Sequence, residues 1–371
     1  MKKCFFSIAI IFILLWMTGC WDQDLLKNAR LLYGTGFDLA PDGKLLSTFV
    51  IRDMTGIEQQ SPKNDIIYTD SNTTLEGRDK IDDKISRFLR AYRNRIILIG
   101  EEQAKQDIYP ILDNIYRDPK SALNARIGVA QGKASDLLSL KKVGNVLIEE
   151  EIDELIKSKE LTTSVPKVTI ETIYPVIKDS GEDFVLPYLI ENGKRVDVSQ
   201  SAMFHKRQFT GILNSDESTM YLLMKDDMGK VARFTRKISK GQQNGYDFLT
   251  FNVNKSKRKM KIQAQSGDQI TVMLDLKWKV GIVEYPKSHL DDKEVVAQLN
   301  QILSKEMNLL IDETIKKMQT ARCDGLGIGR KLRAFHPEIW KKQKEDWGSN
   351  YQKVHFVPNI QVEITKKGIV N

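Results

Sequence analysis

From Thr271 to Val283 apolar and polar residues alternate: Val272, Leu274, Leu276, Trp278, Val280 and Ile282 fall on one side, and Met273, Asp275, Lys277, Lys279 and Gly281 on the other. Side chains of a strand point to opposite faces with a period of two, so this segment reads as a long strand with one buried face. Met260, Ile262 and Ala264 alternate with Lys and Gln in a strand before it. After it, Val295, Leu299, Leu303, Leu310 and Met318 lie near one stripe of a predicted helix over Asp291 to Thr320, which should lie across the sheet. His355 to Ile364 alternates once more and closes the chain. The second half is therefore expected to be an antiparallel sheet with a long packed helix, an α+β arrangement.

The first half has a different rhythm. Leu31 to Tyr33 and Leu45 to Ile51 read as strands around a turn at Pro41-Asp42-Gly43. Thr73 to Leu89 has helical spacing, Arg95 to Ile99 is a short buried strand, Glu102 to Tyr116 is helical again and Ala125 to Ala130 is another strand. Ala134 to Leu140 and Val146 to Lys157 read as two further helices. This alternation predicts a mixed α/β domain over 20–190. Leu161 to Asp179, with Pro166 and Pro175 and little periodicity, reads as the approach to a boundary placed between about 180 and 200. Asp197 to His205 and Phe209 to Leu213 then read as strands, and Ser215 to Ser218 as the start of a helix over Thr219 to Met228, all within a C-terminal domain over 197–371.

The extreme N-terminus sets the compartment. Cys4 to Met17 is apolar except for Ser7, a run of 14 residues, whereas crossing a bilayer takes roughly 20. Lys2 and Lys3 before it and the small pair Thr18-Gly19 after it complete the layout of a secretory signal over 1–19. Met17-Thr18-Gly19-Cys20 resembles the bacterial lipobox, with Met in the usual Leu place. Its cysteine is needed because sulfur takes up the diacylglyceryl group as a thioether, and the new amino terminus can be acylated as well. Two lipid signals give stable membrane residence where one chain gives only marginal binding. The plainer alternative is a signal peptide with an incidental cysteine. Loss of Lys2 and Lys3 with the signal lowers the formal charge from +8 to +6, a modest value for an otherwise ordinary globular composition. Cys323 is then left without a partner in the chain and reads as a buried thiol, with an intermolecular link as the alternative.

Patterns that carry chemistry are sparse. His205, His289, His336 and His355 stand far apart and in no metal-ligand spacing. Ser139-Leu140-Lys141-Lys142 fits Ser-x-x-Lys but lacks its companion elements. Gly325-Leu326-Gly327-Ile328-Gly329 follows the long helix rather than a strand, so it reads as a turn and not as a phosphate loop. Glu149-Glu150-Glu151, with Asp153 and Glu154, reads as a solvated helix face. No cofactor is expected. The sharpest charge cluster is Lys255, Lys257, Arg258, Lys259 and Lys261. It lacks interleaved aromatics, and nucleic acid is a poor partner outside the cell. A solvated hairpin tip or edge between two strands is the first reading, and contact with anionic lipid or an acidic partner the second.

Taken together, several stretches resemble one family. Gly19-Cys20-Trp21-Asp22 followed by Gly34-Thr35-Gly36-Phe37-Asp38 resembles the start of the Ger(x)C lipoproteins, the C subunits of spore germinant receptors. Asp324-Gly325-Leu326-Gly327 with Arg330-Lys331, then His336-Pro337-Glu338-Ile339-Trp340-Lys341, Trp347 and Gly368, is similar to that family's C-terminal pattern. Between them, Gly100-Glu101-Glu102, Arg117-Asp118 and Ser201-Ala202-Met203-Phe204 with Gly211 fit its internal elements. The Ala-x-x-Gly stretch that should follow Gly-Glu-Glu is weak here. The resemblance implies a lipid-anchored, non-enzymatic C subunit acting with membrane-spanning A and B subunits in nutrient-triggered germination, at the outer face of the spore inner membrane. It also implies a chain of mixed α/β domains, commonly three, so that the second half would divide at about 197–235 and 240–371. From another class, a solute-binding lipoprotein that delivers a ligand to a permease would need two lobes around a polar cleft.

Overall fold

The computed structural model describes residues 29–52, 63–86, 88–238, 247–264, 269–287 and 289–367. Cys20, the signal segment, Trp21-Asp22 and Gly368 lie outside the described residues. In chain order the first part comprises β1 (Ala29–Leu39), β2 (Leu45–Arg52), β3 (Asn64–Ser71), α1 (Thr74–Asp82), β4 (Phe88–Arg90), β5 (Ile96–Gly100), α2 (Glu101–Ala104), α3 (Tyr109–Arg117), β6 (Arg126–Ala130) and α4 (Ala134–Ser139). A small hairpin, β7 (Lys142–Val143) and β8 (Val146–Leu147), leads into α5 (Ile148–Leu161) and α6 (Ile170–Ile177). Then come β9 (Val185–Asn192), β10 (Arg195–His205) and β11 (Gln208–Leu213).

Apart from β7 and β8, which pair only with each other, these strands form one sheet in the order β11-β10-β9-β6-β5-β1-β2-β3, with β4 beside the start of β1. Its centre, β1, β5, β6 and β9, is parallel, and antiparallel hairpins extend it on both sides. Parallel strands need helical crossovers and so are covered on both faces. Accordingly all of Ile96 to Gly100 is buried, with Ile97 and Ile99 in the core layer shared with α3 and α6, and Ile96 and Leu98 in the layer shared with α4 and α5.

Three expectations for this half need correction. The helix read over Thr73 to Leu89 ends at Asp82, because Phe88 to Arg90 pairs with β1 and the Leu89 amide donates to Asp82 Oδ1 at 2.8 Å. The helix read over Glu102 to Tyr116 is two helices, since Asp107 accepts from the Tyr109 amide and Pro110 suits only a helix start. Leu161 to Asp179 is not featureless: Thr169 and Thr172 exchange capping bonds and open α6. Around the expected boundary, the hairpin of β9 and β10 carries the chain through residues 180–200, Ala202 pairing with Leu186 on one side and Ile212 on the other.

The second part comprises α7 (Ser215–Lys225), β12 (Ala232–Lys237), β13 (Phe248–Ala264), β14 (Ile270–Glu284), α8 (Lys293–Thr320), α9 (Ile328–Phe335), α10 (Pro337–Gln343), α11 (Trp347–Tyr351) and β15 (His355–Lys366). Asn214 and Glu217 form the capping box of α7, one residue before the expected start, and Asp226 ends it in a left-handed conformation. The sheet order is β12-β13-β14-β15. Alternation placed β13, β14 and β15 correctly, but β15 runs parallel to β14, so the sheet is antiparallel except for its last pair. The reason is α8, which returns the chain to the starting end of β14 as a crossover does. Leu299, Leu303, Met307, Ile311, Ile315 and Met318 of α8 are buried against the sheet, each stabilising by roughly 1.5–3 kcal/mol.

α8 also closes an edge. The Ile360, Val362 and Ile364 amides of β15 donate to Asn308 Oδ1, Ser304 Oγ and Asn300 Oδ1 at 2.9, 3.0 and 2.9 Å, and Asn308 Nδ2 returns a bond to the Ile360 carbonyl. Four helical residues rise about 6 Å and two strand residues about 6.6 Å, so a polar residue on every turn meets every second amide. Asn308→Ala removes both of its bonds to Ile360, and we expect a loss of about 1–3 kcal/mol in urea unfolding. A change within about 0.5 kcal/mol, as for an ordinary surface substitution, would show that the ladder does not stabilise the edge.

Candidate functional site

The most heavily bonded polar centre lies where the two sheets join. α8 ends with Arg322 in a left-handed conformation, and the chain turns into Asp324, which is wholly buried. Asp324 Oδ1 accepts from the Ile328 amide at 2.9 Å, and its Oδ2 accepts from the Gly329 amide at 2.8 Å and Trp347 Nε1 at 2.9 Å. Asp183, just before β9, answers it: the Asp324 amide donates to Asp183 Oδ2 at 2.9 Å and the Asp183 amide donates to the Asp324 carbonyl at 3.0 Å. Asp183 also accepts from the Lys206 amide and sits 3.2 Å from His205 Nδ1. Burial, with Asp183 adding to it, pushes the Asp324 carboxyl well above the ordinary carboxylate range, against the N–H donors that favour its ionised form.

Glycines let these segments touch. A Cβ on Gly329 would lie 2.7 Å from the Trp340 ring and 2.8 Å from Trp347 Nε1, and one on Gly348 would lie 2.5 Å from His205 Nε2. On Gly181 it would strike the backbone of Arg330, whose amide donates to the Gly181 carbonyl. Outside this knot, Glu182 pairs with Lys225 and Arg330, and Asp179 with Arg333.

A second buried carboxylate sits at the carboxyl end of β1. Asp38 accepts from the Ala134 and Ser135 amides at 2.7 and 2.9 Å and so caps α4, and Gly100 passes so close that a Cβ there would collide with it. Its pKa is raised by burial, against those two amides. The acidic start of α5 is not a solvated face, contrary to expectation. Glu149 is fully buried and pairs with Arg52, Asn64 also donates to it, and Asp153 and Glu160 hold Arg126 at 2.9 and 2.8 Å. Glu149 and Glu150, in the first turn of α5, are also favoured by the helix N-terminus, and the Arg52 guanidinium stacks 4.0 Å above the Tyr33 ring.

Cys323 is a buried free thiol, raised in pKa by burial beside Asp183 and Asp324. Gly327, left-handed, opens α9 after α8, so the glycine-rich stretch is a turn between helices. Two open clefts of about 510 and 530 Å³ lie on the first sheet, one lined by Leu39, Thr74, Gln103 and Asp107, the other by Tyr33, Arg95, Arg126 and Lys157. Among the described residues, no three His, Cys, Asp or Glu side chains gather as a metal site, and no helix is long and apolar enough to cross a membrane. Lys255, Lys257, Lys259 and Lys261 do not lie between two strands but within β13, all on its exposed side, while Arg258 is half-buried on the other. With Lys277 and Lys279, Lys255 and Lys257 line a cleft of about 410 Å³.

Two family matches cover nearly the whole chain: the spore germination protein N-terminal domain over 22–191, and the spore germination B3/GerAC-like C-terminal domain over 199–368. The chain belongs to the GerAC-like spore germination proteins. It is similar to spore germination protein KC of Bacillus subtilis (strain 168), 21% identical with 98% of this chain and 94% of the relative covered. Spore germination protein B3 of the same organism is 23% identical, covering 98% of each. The crystal structure of the GerBC protein shares the fold, with a TM-score of 0.58 at 17% identity, covering 93% of this chain and all of that one. Among the described residues, several that carried the resemblance of this GerAC-like chain have structural roles. Asp324, Gly329 and Trp347 build the join, Gly100 and Asp38 the cap, Glu101 accepts from the Tyr188 hydroxyl, and Asp118 pairs with Arg78. Asp324 and Trp347 stand out in the sequence, but their bond to each other does not, and no local pattern marks Asp183.

Replacing Asp324 by Ala orphans three buried donors, and we expect a loss of more than about 3 kcal/mol in urea unfolding. Because the folded pKa lies above the unfolded 3.8, the titration's contribution is fully present below that value and is lost as pH rises through the folded one. The stability advantage of the parent over Asp324→Asn should therefore be greatest near pH 4 and shrink as pH rises. An advantage that grows with pH would mean the carboxyl is depressed instead.

Proposed function

We propose that the chain is a lipid-anchored, non-enzymatic C subunit of a spore germinant receptor, acting with membrane-spanning A and B subunits in the response to nutrients at the spore inner membrane. The observation that carries this reading is the family match across both halves of the chain. The geometry supports it from another side: the motif side chains Asp38, Asp324 and Trp347 spend their hydrogen-bonding groups inside the fold. A nucleophile, acid or base must instead present a group to a substrate.

Cys20 is the proposed attachment point, carrying the S-diacylglyceryl group and an N-acyl chain, with the 1–19 segment as its export signal. The domains proposed are 20–190 and 197–371. Cys20→Ala should lower the membrane-retained, processed form by about tenfold or more, since two lipid signals disappear together, and should slow nutrient-triggered germination. Fractionation of spore membranes and optical germination assays read the two effects. Unchanged retention together with an unchanged nutrient response would sink the proposal.

A further inference from the structure

The two edges of the second sheet are treated differently. The β15 edge is closed by α8. At the other edge, β12 pairs with β13 only as far as Ala232 with Val253. From Asn254 to Ala264, β13 has β14 on one side, and among the described residues neither a strand nor a bonding side chain meets the backbone on its other side. An extended strand edge of this length is a template for another strand.

The side chains along that edge are sorted by face. Lys255, Lys257, Lys259 and Lys261 are exposed on the outer face, where Lys279 and Lys277 stand directly opposite Lys255 and Lys257. Like charges across a strand pair are destabilising, and here Asp275 opposite Lys259 and Glu363, 3.8 Å from Lys279, are the nearby acids. On the inner face, Ser256, Arg258, Met260, Ile262 and Ala264 are only half-buried, although Met260, Ile262 and Ala264 pack against the core. Ser256 Oγ and Arg258 Nε are buried without a hydrogen-bond partner. The row thus combines an unpaired strand edge, excess positive charge outside and half-buried apolar side chains inside.

We propose that the free edge of β13 from Asn254 to Ala264 receives an extended segment of a partner protein in which acidic residues alternate with apolar ones. Added as a strand, the segment places its acids beside the lysine row and its apolar residues beside Met260, Ile262 and Ala264, lengthening the sheet and its core together. A second copy of this chain is disfavoured as the occupant, because pairing β13 with itself sets lysines against lysines. An anionic membrane accounts for the lysines but leaves the strand edge and the inner row unexplained. The inference concerns a protein partner and does not depend on the lipid anchor.

The test uses the full mature chain in neutral detergent and fluorescent ten-residue peptides read by anisotropy. One peptide alternates Glu with Val and Thr, a second holds the same residues in acidic and apolar blocks, and two further forms of the first are N-methylated on one or the other alternating set of amides. We expect the alternating peptide to bind about tenfold or more tightly than the block peptide, and Lys257→Glu with Lys259→Glu to remove about the same factor while leaving thermal unfolding unchanged. One N-methylated form should bind like the parent and the other about tenfold more weakly, because only one set of amides faces β13. Absence of saturable binding, or equal tolerance of both methylations, overturns the proposal. So does lysine-dependent binding to phosphatidylglycerol vesicles without peptide binding, which would make the patch a lipid contact.

Discussion

The paired carboxylates Asp183 and Asp324 hold the two sheets in one arrangement. Each is buried, each is bonded to the other's segment, and together they satisfy amides from Lys206, Asp324, Ile328 and Gly329 with the indole of Trp347. A buried donor that loses its acceptor costs about 1–3 kcal/mol, so a small sliding of one sheet past the other would break several bonds at once with no water to replace them. Gly181, Gly329 and Gly348 reinforce this, because the backbone and rings they admit fill the space a side chain would need. Displacement of the second sheet therefore carries the β9-β10 hairpin of the first with it.

With the join settled, the second sheet has to deal with its own margins. Asn300, Ser304 and Asn308 recur at the helical interval that matches alternate amides of β15, so a single helix supplies both the apolar cover and the hydrogen bonds of an edge. That solution depends on the parallel course of β15, which puts it beside the helix that precedes it. β13 outruns its shorter neighbour β12 by eleven residues, so among the described residues its far half gains no such cover. Lysines on alternate positions line that half with like charge, which works against its pairing with the same edge of another copy.

Period-two alternation made β13, β14 and β15 readable, and helical spacing did the same for α8, because those patterns report which face is buried. The same patterns are silent on direction, and so the parallel course of β15 was not legible. Helix ends in the first half were misjudged where a distant element decided them: Phe88 to Arg90 leaves the helical register to pair with Ala29 to Leu31. Glu149 looked solvated because its partner, Arg52, lies almost a hundred positions away. The Asp324 motif was visible only as a resemblance, since its role depends on Trp347 and Asp183 arriving from other segments. Asp183 itself sits in an ordinary turn sequence that nothing local distinguishes.

The carboxyl ends of parallel strands, beside a helix N-terminus, are where an open α/β sheet ordinarily receives an anionic ligand. In this chain that position is taken by the chain itself. β1 delivers Asp38 to the first amides of α4, and Gly100 has no Cβ because Asp38 already occupies the space. The positive end of the helix is neutralised by a carboxylate that burial drives upward in pKa, a sign of how little water reaches it. The chemistry that the fold class offers most readily is thus spent on holding the first sheet together. What is left unspent lies on surfaces, chiefly the backbone edge and lysine row of β13, and this distribution suits a protein that works by being bound and positioned beside others.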